Sequence, residues 1–334
     1  MNSDIKISVI IPTYNRARVL EKCIESLCSS QGVSKASYEI IVVDNASTDD
    51  TKERVGRVQR IHDSIDIFYK YEPVAGLLSA RHSGAKTARG EILTFIDDDV
   101  TVDPLWLKSI RDTFEEIKEC GILGGRSLPV YEIEPPKWLD TLWTVKDNIR
   151  MCGQLSLIDM GEDTIEISPL YVWGLNFSIK KELFLKLGGF NPDNIPSKLQ
   201  RFQGDGESGL SYKAIEQNVK AYYNPAVLVH HHIPAQRLTK EYMYSRMFYQ
   251  GVCDSYSKLR KYRQFSDLEE RKAKRVSTKE SASSEDALKD VMHNGYLDGY
   301  IFHQEEVKND PKLFAWVIKE DYMDYDYNLF MESI

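Results

Sequence analysis

The chain has 334 residues, 42% hydrophobic and 28% charged, ordinary globular usage that excludes wholesale disorder and fibrous or low-complexity classes. That length suits one elaborated α/β domain or two modest ones. The balance of 43 basic against 51 acidic residues, a net charge of −8, argues against a protein whose main affinity is counterion release from nucleic acid.

The start, MNSDIKISVIIPTYN, has no basic region followed by a long apolar run, and no later segment reaches the roughly 18 apolar residues that span a bilayer. A cytoplasmic address is expected, with peripheral membrane contact left open. From Lys6 to about Ser127 short apolar runs alternate with longer amphipathic segments, the pattern of a mostly parallel sheet with helical crossovers. Strands are predicted at Ile7–Ile11, Glu39–Val43, Ile65–Tyr69, Ile92–Ile96 and Ile122–Gly124. Helices with apolar residues at three and four spacing are predicted at Val19–Leu27, Thr51–Ile61, Leu78–Ala88 and Pro104–Ile117. Past Ser127 no period is sustained, and Pro129, Pro135, Pro136, Trp138, Trp143 and Gly153 predict long loops. A strand is expected at Tyr171–Ile179, then a helix at Lys181–Leu187 closed by Gly188-Gly189, a helix at Glu207–Gln217, a strand at Ala226–Val229 and a long helix at Thr239–Arg263. A mobile connector is expected around 265–285, charged and Ser-rich from Arg271 to Glu285, with 286–334 as a helical appendage. The chain thus divides at 1–127, 128–238 and 239–334. Its five cysteines, Cys23, Cys28, Cys120, Cys152 and Cys253, are odd in number and form no CxxC pair, so neither a zinc knuckle nor a disulfide framework is indicated.

In an open parallel sheet ligands collect beyond the carboxyl ends of the strands. Three predicted strand ends are rich in hydrogen-bonding groups: Pro12-Thr13-Tyr14-Asn15, Asp44-Asn45-Ala46-Ser47 and Asp97-Asp98-Asp99. Asn45 and Ser47 alone serve equally as turn formers or helix caps. Three adjacent carboxylates repel one another unless a cation or hydrogen-bond donors offset them. Alternation sends Asp97 and Asp99 to one side and Asp98 to the other, so the i, i+2 pair offers oxygen ligands to a hard divalent ion, Mg2+ or Mn2+, completed by phosphates and water. A solvated acidic turn capping the helix near Pro104 is the alternative.

Taken together, VIIPTYN, IIVVDNASTDDT and GLLSARHSGAKTARGEILTFIDDDV resemble the nucleotide-binding half of family 2 glycosyltransferases, densely over roughly the first 125 residues and more sparsely to about Gly251. The resemblance implies an α/β fold of the GT-A type: a Rossmann-like, mostly parallel sheet with helices on both faces, plus a C-terminal helical appendage. The first segment becomes a nucleotide-sugar-binding half, the second an acceptor-binding and catalytic half, the third a helical extension. It puts Pro12, Thr13 and Tyr14 at the base and ribose, and Asp44, with Asn45 beside it, at the base edge, where such carboxylates commonly read uracil. Arg81 is expected near the base and diphosphate, and Gly76 and Gly84 where backbone approaches ligand. Asp97 and Asp99 match the DxD pair, with Asp99 on the metal, Asp97 toward the ribose or metal shell, and Asp98 within the same donor site.

Trp173-Gly174-Leu175-Asn176 resembles the acceptor-side segment, so Trp173, Gly174 and Asn176 are expected at the acceptor, with plain packing as the alternative. GDGESGLSYKA resembles the segment that opens a helix with the catalytic base, but it departs from the family's Glu-Asp pair. The base falls on Glu207, the preceding acid on Gly206, and an extra carboxylate stands at Asp205. Glu207 is the first choice and Asp205 its rival; one is expected to cap or orient, the other to take the proton. His230-His231-His232 resembles a segment whose histidine reaches the metal or diphosphate, a role that falls on His231 counted from Pro234.

The expectation is an inverting, Mn2+- or Mg2+-dependent glycosyltransferase. It would move a sugar from a nucleotide diphosphate donor, UDP-linked by the Asp44 match, to a hydroxyl of a glycan or lipid-linked saccharide in cell-surface polysaccharide or glycoconjugate synthesis, with no nucleic acid partner. A nucleotidyltransferase would need a glycine-rich phosphate loop that PTYNRARVL lacks. A non-catalytic nucleotide-sugar or glycan-binding protein on the same fold has Gly206 in its favour. The basic run from Lys258 to Arg275 suits an anionic lipid surface or a lipid diphosphate, or else a solvated face. Tyr322, Tyr325, Tyr327 and Phe330, mixed with Asp321, Asp324 and Asp326, suit packing or an oligomer contact; the oligomeric state is not read from the sequence.

Overall fold

Runs such as ISVII and EIIVV, β-branched and too short for buried helices, are set between amphipathic segments, and the chain folds as that alternation requires. The computed structural model describes residues 5–146, 149–195, 197–275 and 284–323. The first half contains β1 (Ile7–Thr13), α1 (Ala17–Cys28), β2 (Tyr38–Asp44), α2 (Thr51–Ile61), β3 (Asp66–Tyr71), α3 (Leu77–Thr87), β4 (Ile92–Ile96), β5 (Val100–Val102) and α4 (Trp106–Glu116). There follow β6 (Cys120–Tyr131), β7 (Thr144–Lys146), β8 (Ile149–Cys152), β9 (Leu157–Asp159), β10 (Ile165–Ile167), β11 (Asn176–Lys180) and α5 (Lys181–Lys186). Then come α6 (Gly206–Glu216), β12 (Lys220–Ile233), α7 (Lys240–Tyr262), α8 (Leu268–Lys272), α9 (Ser284–Asn309) and α10 (Pro311–Val317).

The sheet runs β3-β2-β1-β4-β11-β6 and continues on one side into the β9-β8-β7 meander, with β12 parallel to β6 and bordered by β5 and β10. β1, β2, β3 and β4 are parallel, so their carboxyl ends lie along one edge. β11 is antiparallel to both β4 and β6. Helices cover both faces. On β1 and β2, Val9, Ile11, Ile40 and Val42 join the core beneath α1, α2 and α4, whereas Ile10, Ile41 and Val43 join the one beneath α3, the period-2 split of a strand buried on both sides.

Three expectations shift. The Tyr171–Ile179 strand shortens to β11, because Ser168 caps a 3-10 turn at Pro169–Tyr171. The loops expected after Ser127 are partly strand: β6 runs on to Tyr131 because β12 pairs along it, a tertiary partnership that leaves no local alternation. β12 is far longer than Ala226–Val229, and its register breaks between Asn224 and Val229, around Pro225, which has no N–H to give a ladder. Of the expected connector, α8 is ordered helix, and residues 276–283 lie outside the described residues, as do Tyr325, Tyr327, Phe330, Asp324 and Asp326.

The segment from Thr239 onward is no separate body. Tyr256, Leu259, Val307, Trp316 and Tyr322 share one buried cluster with Phe95, Phe177, Phe184 and Phe190 beneath the sheet. No helix among the described residues is long and apolar enough to cross a membrane. α7 and α9 pack at backbone distance through glycines: a Cβ on Gly299 would stand 1.9 Å from the Phe248 carbonyl oxygen, and one on Gly251 2.0 Å from that of Tyr296.

Gly299→Ala is therefore expected to cost about 1–3 kcal/mol despite the gain in helix propensity. Gly56→Ala in α2, where a Cβ meets nothing nearer than the flexible Arg60 tip at 3.6 Å, should be neutral or stabilising; urea denaturation of the two variants compares them. In the same interface His303 shares a proton with Ser255 at 2.8 Å, and burial pushes its imidazole from 6.5 down to about 3. Between those values the unfolded chain binds a proton that the folded one does not, so stability falls as pH falls, by about 1.4 kcal/mol per unit. His303→Gln should flatten the pH dependence of the unfolding free energy by that amount between pH 6 and 4.

Candidate functional site

The register pairs Thr13 with Asp44, which brings the carboxyl ends of β1 and β2 level, with the end of β4 beside them. Two asparagines lace the loops above. Asn15, in the left-handed region at φ 53°, accepts the Thr48 N–H at 2.7 Å and donates its own N–H to Ser47 Oγ. Asn45 accepts the Gly76 N–H at 2.7 Å and donates to the carbonyls of Glu72 and Val74. Gly76 itself sits at φ 130°. Beneath lies a cavity of about 510 Å3 lined by Pro12, Thr13, Tyr14, Asn45, Gly76, Asp97, Asp98 and Asp99, together with Arg16 and Arg237. Tyr14 is 58% exposed, its ring open at the cavity mouth. Two expected residues are elsewhere. Asp44 is buried, its carboxylate accepting the Ser47 N–H and the Tyr69 hydroxyl, and it does not line the cavity. Gly84 serves packing, since a Cβ there would come 2.4 Å from Ile10.

The three aspartates do not alternate as a strand would, because β4 ends at Ile96. Arg16 spans two of them, Nη1 to Asp98 at 2.6 Å and Nη2 to Asp99 at 2.8 Å. Thr13 donates its hydroxyl to Asp98 at 2.7 Å. Burial pushes Asp98 up to about 7 against the pull of Arg16. Asp99 is buried too, but His231, Arg237 and Arg16 outweigh the loss of water and hold it well below the usual carboxylate range. Arg237 reaches Asp99 at 3.0 Å and His231 Nε2 at 2.8 Å. The other His231 nitrogen faces the Leu155 carbonyl at 2.9 Å, an acceptor, so Nδ1 carries the proton and Nε2 a lone pair.

A second cavity, of about 370 Å3, adjoins the first and shares Leu77, Asp97, Asn194 and Arg237 with it. At its floor Arg81, 3% exposed, donates to Asp97 at 3.1 Å and lies 3.7 Å from Glu207. Gly174 makes this seat possible, for a Cβ there would come 2.4 Å from the Arg81 guanidinium, and its N–H donates to Glu207 Oε1 at 3.2 Å. Glu207 turns its second oxygen, Oε2, toward Arg81, and the residue lines the cavity. Asp205 has donors on both oxygens, Asn191 on one and Ser257 on the other, and burial raises its pKa. Its side chain caps no helix N–H of α6. Neither Trp173 nor Asn176 reaches the cavity. The Trp173 ring packs against both core clusters on its side, and Asn176 bridges Trp106 Nε1 and the Val227 carbonyl.

Sequence reading missed Arg16, Arg237 and Asp193. The two arginines are cations in loops just past strand ends, a signal that could have found them. Asp193 has no local signal: it enters beside Gly206, whose Cβ would lie 2.8 Å from the Asp193 Oδ2, and loss of water together with the charge of Glu207 pushes it up to about 6. For a divalent ion, the Oδ1 of Asp99 is buried without a partner, whereas the His231 Nε2 lone pair is taken by Arg237 at 2.8 Å and lies 3.6 Å from the other Asp99 oxygen, Oδ2. Asp99 fits a metal as it stands, and His231 would join it only with Arg237 displaced. Among the described residues no third His, Cys, Asp or Glu joins them, so phosphate and water oxygens would have to complete the shell.

A mostly parallel α/β sheet with an acidic, arginine-bridged cleft beyond its strand ends has the architecture of the GT-A fold. The family model for glycosyl transferase family 2 matches residues 8–183, and the chain belongs to that family. A glucosyl-dolichyl phosphate glucuronosyltransferase of Haloferax volcanii is 27% identical over 252 residues, 74% of this chain and 75% of the relative. A GalNAc(5)-diNAcBac-PP-undecaprenol β-1,3-glucosyltransferase of Campylobacter jejuni is 42% identical over 94 residues, 28% of this chain and 29% of the relative. In fold, the chain is similar to a mannosyltransferase of Pyrobaculum calidifontis solved with GDP-Man and Mn2+, at a TM-score of 0.52 and 19% identity, covering 93% of this chain and 73% of that one.

Gly174→Ala is expected to unseat Arg81 and lower the unfolding free energy by about 1–3 kcal/mol, read by urea denaturation.

Proposed function

We propose that this glycosyltransferase binds a nucleoside diphosphate sugar in the larger cavity and an acceptor hydroxyl in the smaller, and joins them with inversion. The observation that carries the reading is the shared wall: Asp97 and Arg237 border both cavities, and Arg81 ties Asp97 to Glu207. Glu207 takes the acceptor proton, the freed oxygen attacks the anomeric carbon, and the bond to the diphosphate breaks with its electron pair going to the phosphate oxygen. Arg16 and Arg237, held beside Asp98 and Asp99, are placed to offset the charge that grows on the leaving group. A divalent ion, Mn2+ or Mg2+, held by Asp99, and by His231 once Arg237 releases its Nε2, would add Lewis-acid stabilisation of the diphosphate.

The uridine assignment rests on the family match of Asp44 alone, since that side chain lies outside the cavity lining. The lipid-linked or glycan acceptor is supported by the names of the Haloferax and Campylobacter relatives. Asp193 beside Gly206 speaks against a non-catalytic binding protein, because it restores a carboxylate next to Glu207 where the family's acid is missing.

Calorimetric titration with UDP, GDP and dTDP, each with and without Mn2+, is expected to show one nucleotide bound in a metal-dependent way, UDP first. Asp99→Asn should weaken that binding. Glu207→Gln should leave it intact while cutting transfer by roughly 10²–10⁴-fold, and Asp205→Asn should retain transfer. Full transfer by Glu207→Gln would refute the base assignment, and donor binding without turnover of any nucleotide sugar would favour the binding-protein reading.

A further inference from the structure

We infer that the acceptor carries an anionic group, phosphate or carboxylate, seated on Arg246; this rests on reading the smaller cavity as the acceptor site. α7 presents Tyr242, Ser245, Arg246, Tyr249 and Gln250 to that cavity, the i, i+3, i+4, i+7 and i+8 positions of one helix face. The facing wall carries Asp193, Asp205 and Glu207.

The cations in the cavity can be taken one by one. Arg81 is matched by Asp97 and Glu207, and Arg237 by Asp99. Arg246 is different: it is half-buried, lines the same cavity, and among the described residues its guanidinium makes no ion pair or hydrogen bond. The acid further along α7, Asp254, is already taken by Gln250 at 2.8 Å and Tyr296 at 2.9 Å. The hydroxyls of Tyr242 and Tyr249, flanking Arg246 on the same face, also have no partner among the described residues.

A half-buried guanidinium presents five donors in a planar fork, a geometry that phosphate and carboxylate oxygens match two at a time. The donor's own charge is met on the far side of the shared wall by Arg16 and Arg237. What Arg246 adds is a cation on the acceptor side, with tyrosine hydroxyls beside it to bond the same group or a neighbouring sugar. Two sources supply such a group: a diphosphate joining a saccharide to a lipid, or the carboxylate of a uronic acid residue.

The test titrates the purified full-length protein, saturated with whichever of UDP, GDP or dTDP it binds, with farnesyl diphosphate, octyl β-glucuronide and octyl β-glucoside below their micelle concentrations. One anionic probe is expected to bind at least tenfold more tightly than the neutral glucoside; the diphosphate winning assigns a lipid diphosphate, the glucuronide an acidic sugar. Arg246→Gln should erase that advantage and Arg246→Lys keep part of it, with nucleotide affinity and melting temperature unchanged. Equal binding of all three probes, or anionic preference surviving in Arg246→Gln, overturns the inference while intact nucleotide binding leaves the proposed function standing. Failure of all three nucleotides to bind overturns both.

Discussion

A single buried guanidinium, Arg81 against Gly174, sets the spacing on which the site depends. Burying a cation costs several kcal/mol unless partners offset it, and here Asp97, Glu207 and the face of Phe190, 5.4 Å away, meet the guanidinium, leaving its buried Nε without a hydrogen bond. To bring those partners together, the end of β4, the start of α6 and the turn before β11 must converge on one side chain of α3. The aromatic cluster of Phe95, Phe177, Phe184 and Phe190 beneath fills the space that this convergence leaves, ring against ring at 4.8–5.3 Å. The two cavities therefore share a wall because the charge balance of one arginine requires it.

The acidic triplet follows the same logic from the other direction. Three consecutive carboxylates at a strand end are tolerated because each faces an arginine: Arg81 at Asp97, Arg16 bridging Asp98 and Asp99, and Arg237 also at Asp99. The arginines are thereby immobilised at the cleft before any anion arrives, and little reorganisation is left for binding to cost.

The fold of the first half was legible because local pattern and tertiary role coincide there: ISVII can be little else than a strand buried on both faces. Beyond Ser127 they part company. β6 and β12 are strands because they found each other, and the loops that Pro129 and Pro135 suggested are interrupted by that pairing. At the site, motif matching placed Thr13, Tyr14, Asp97, Asp99, Arg81 and Glu207 around the two cavities. Motif residues with other duties lie away from the cavities: Trp173 fills core, Asn176 bridges Trp106 to a carbonyl, and Asp44 is satisfied by its own turn and Tyr69. Asp193 was invisible because its partner, Gly206, is 13 positions away and signals only by lacking a side chain.

The glycine seam between α7 and α9 has a mechanical side. Backbone touching backbone leaves no side chains to repack, so α7, which walls the smaller cavity, cannot slide or tilt without breaking contact along its length. The aperture is held stiff, and on the proposed acceptor reading a bulkier sugar would be turned away by its size alone. Selectivity of that kind acts like a gauge: it separates acceptors by girth, whatever their chemistry.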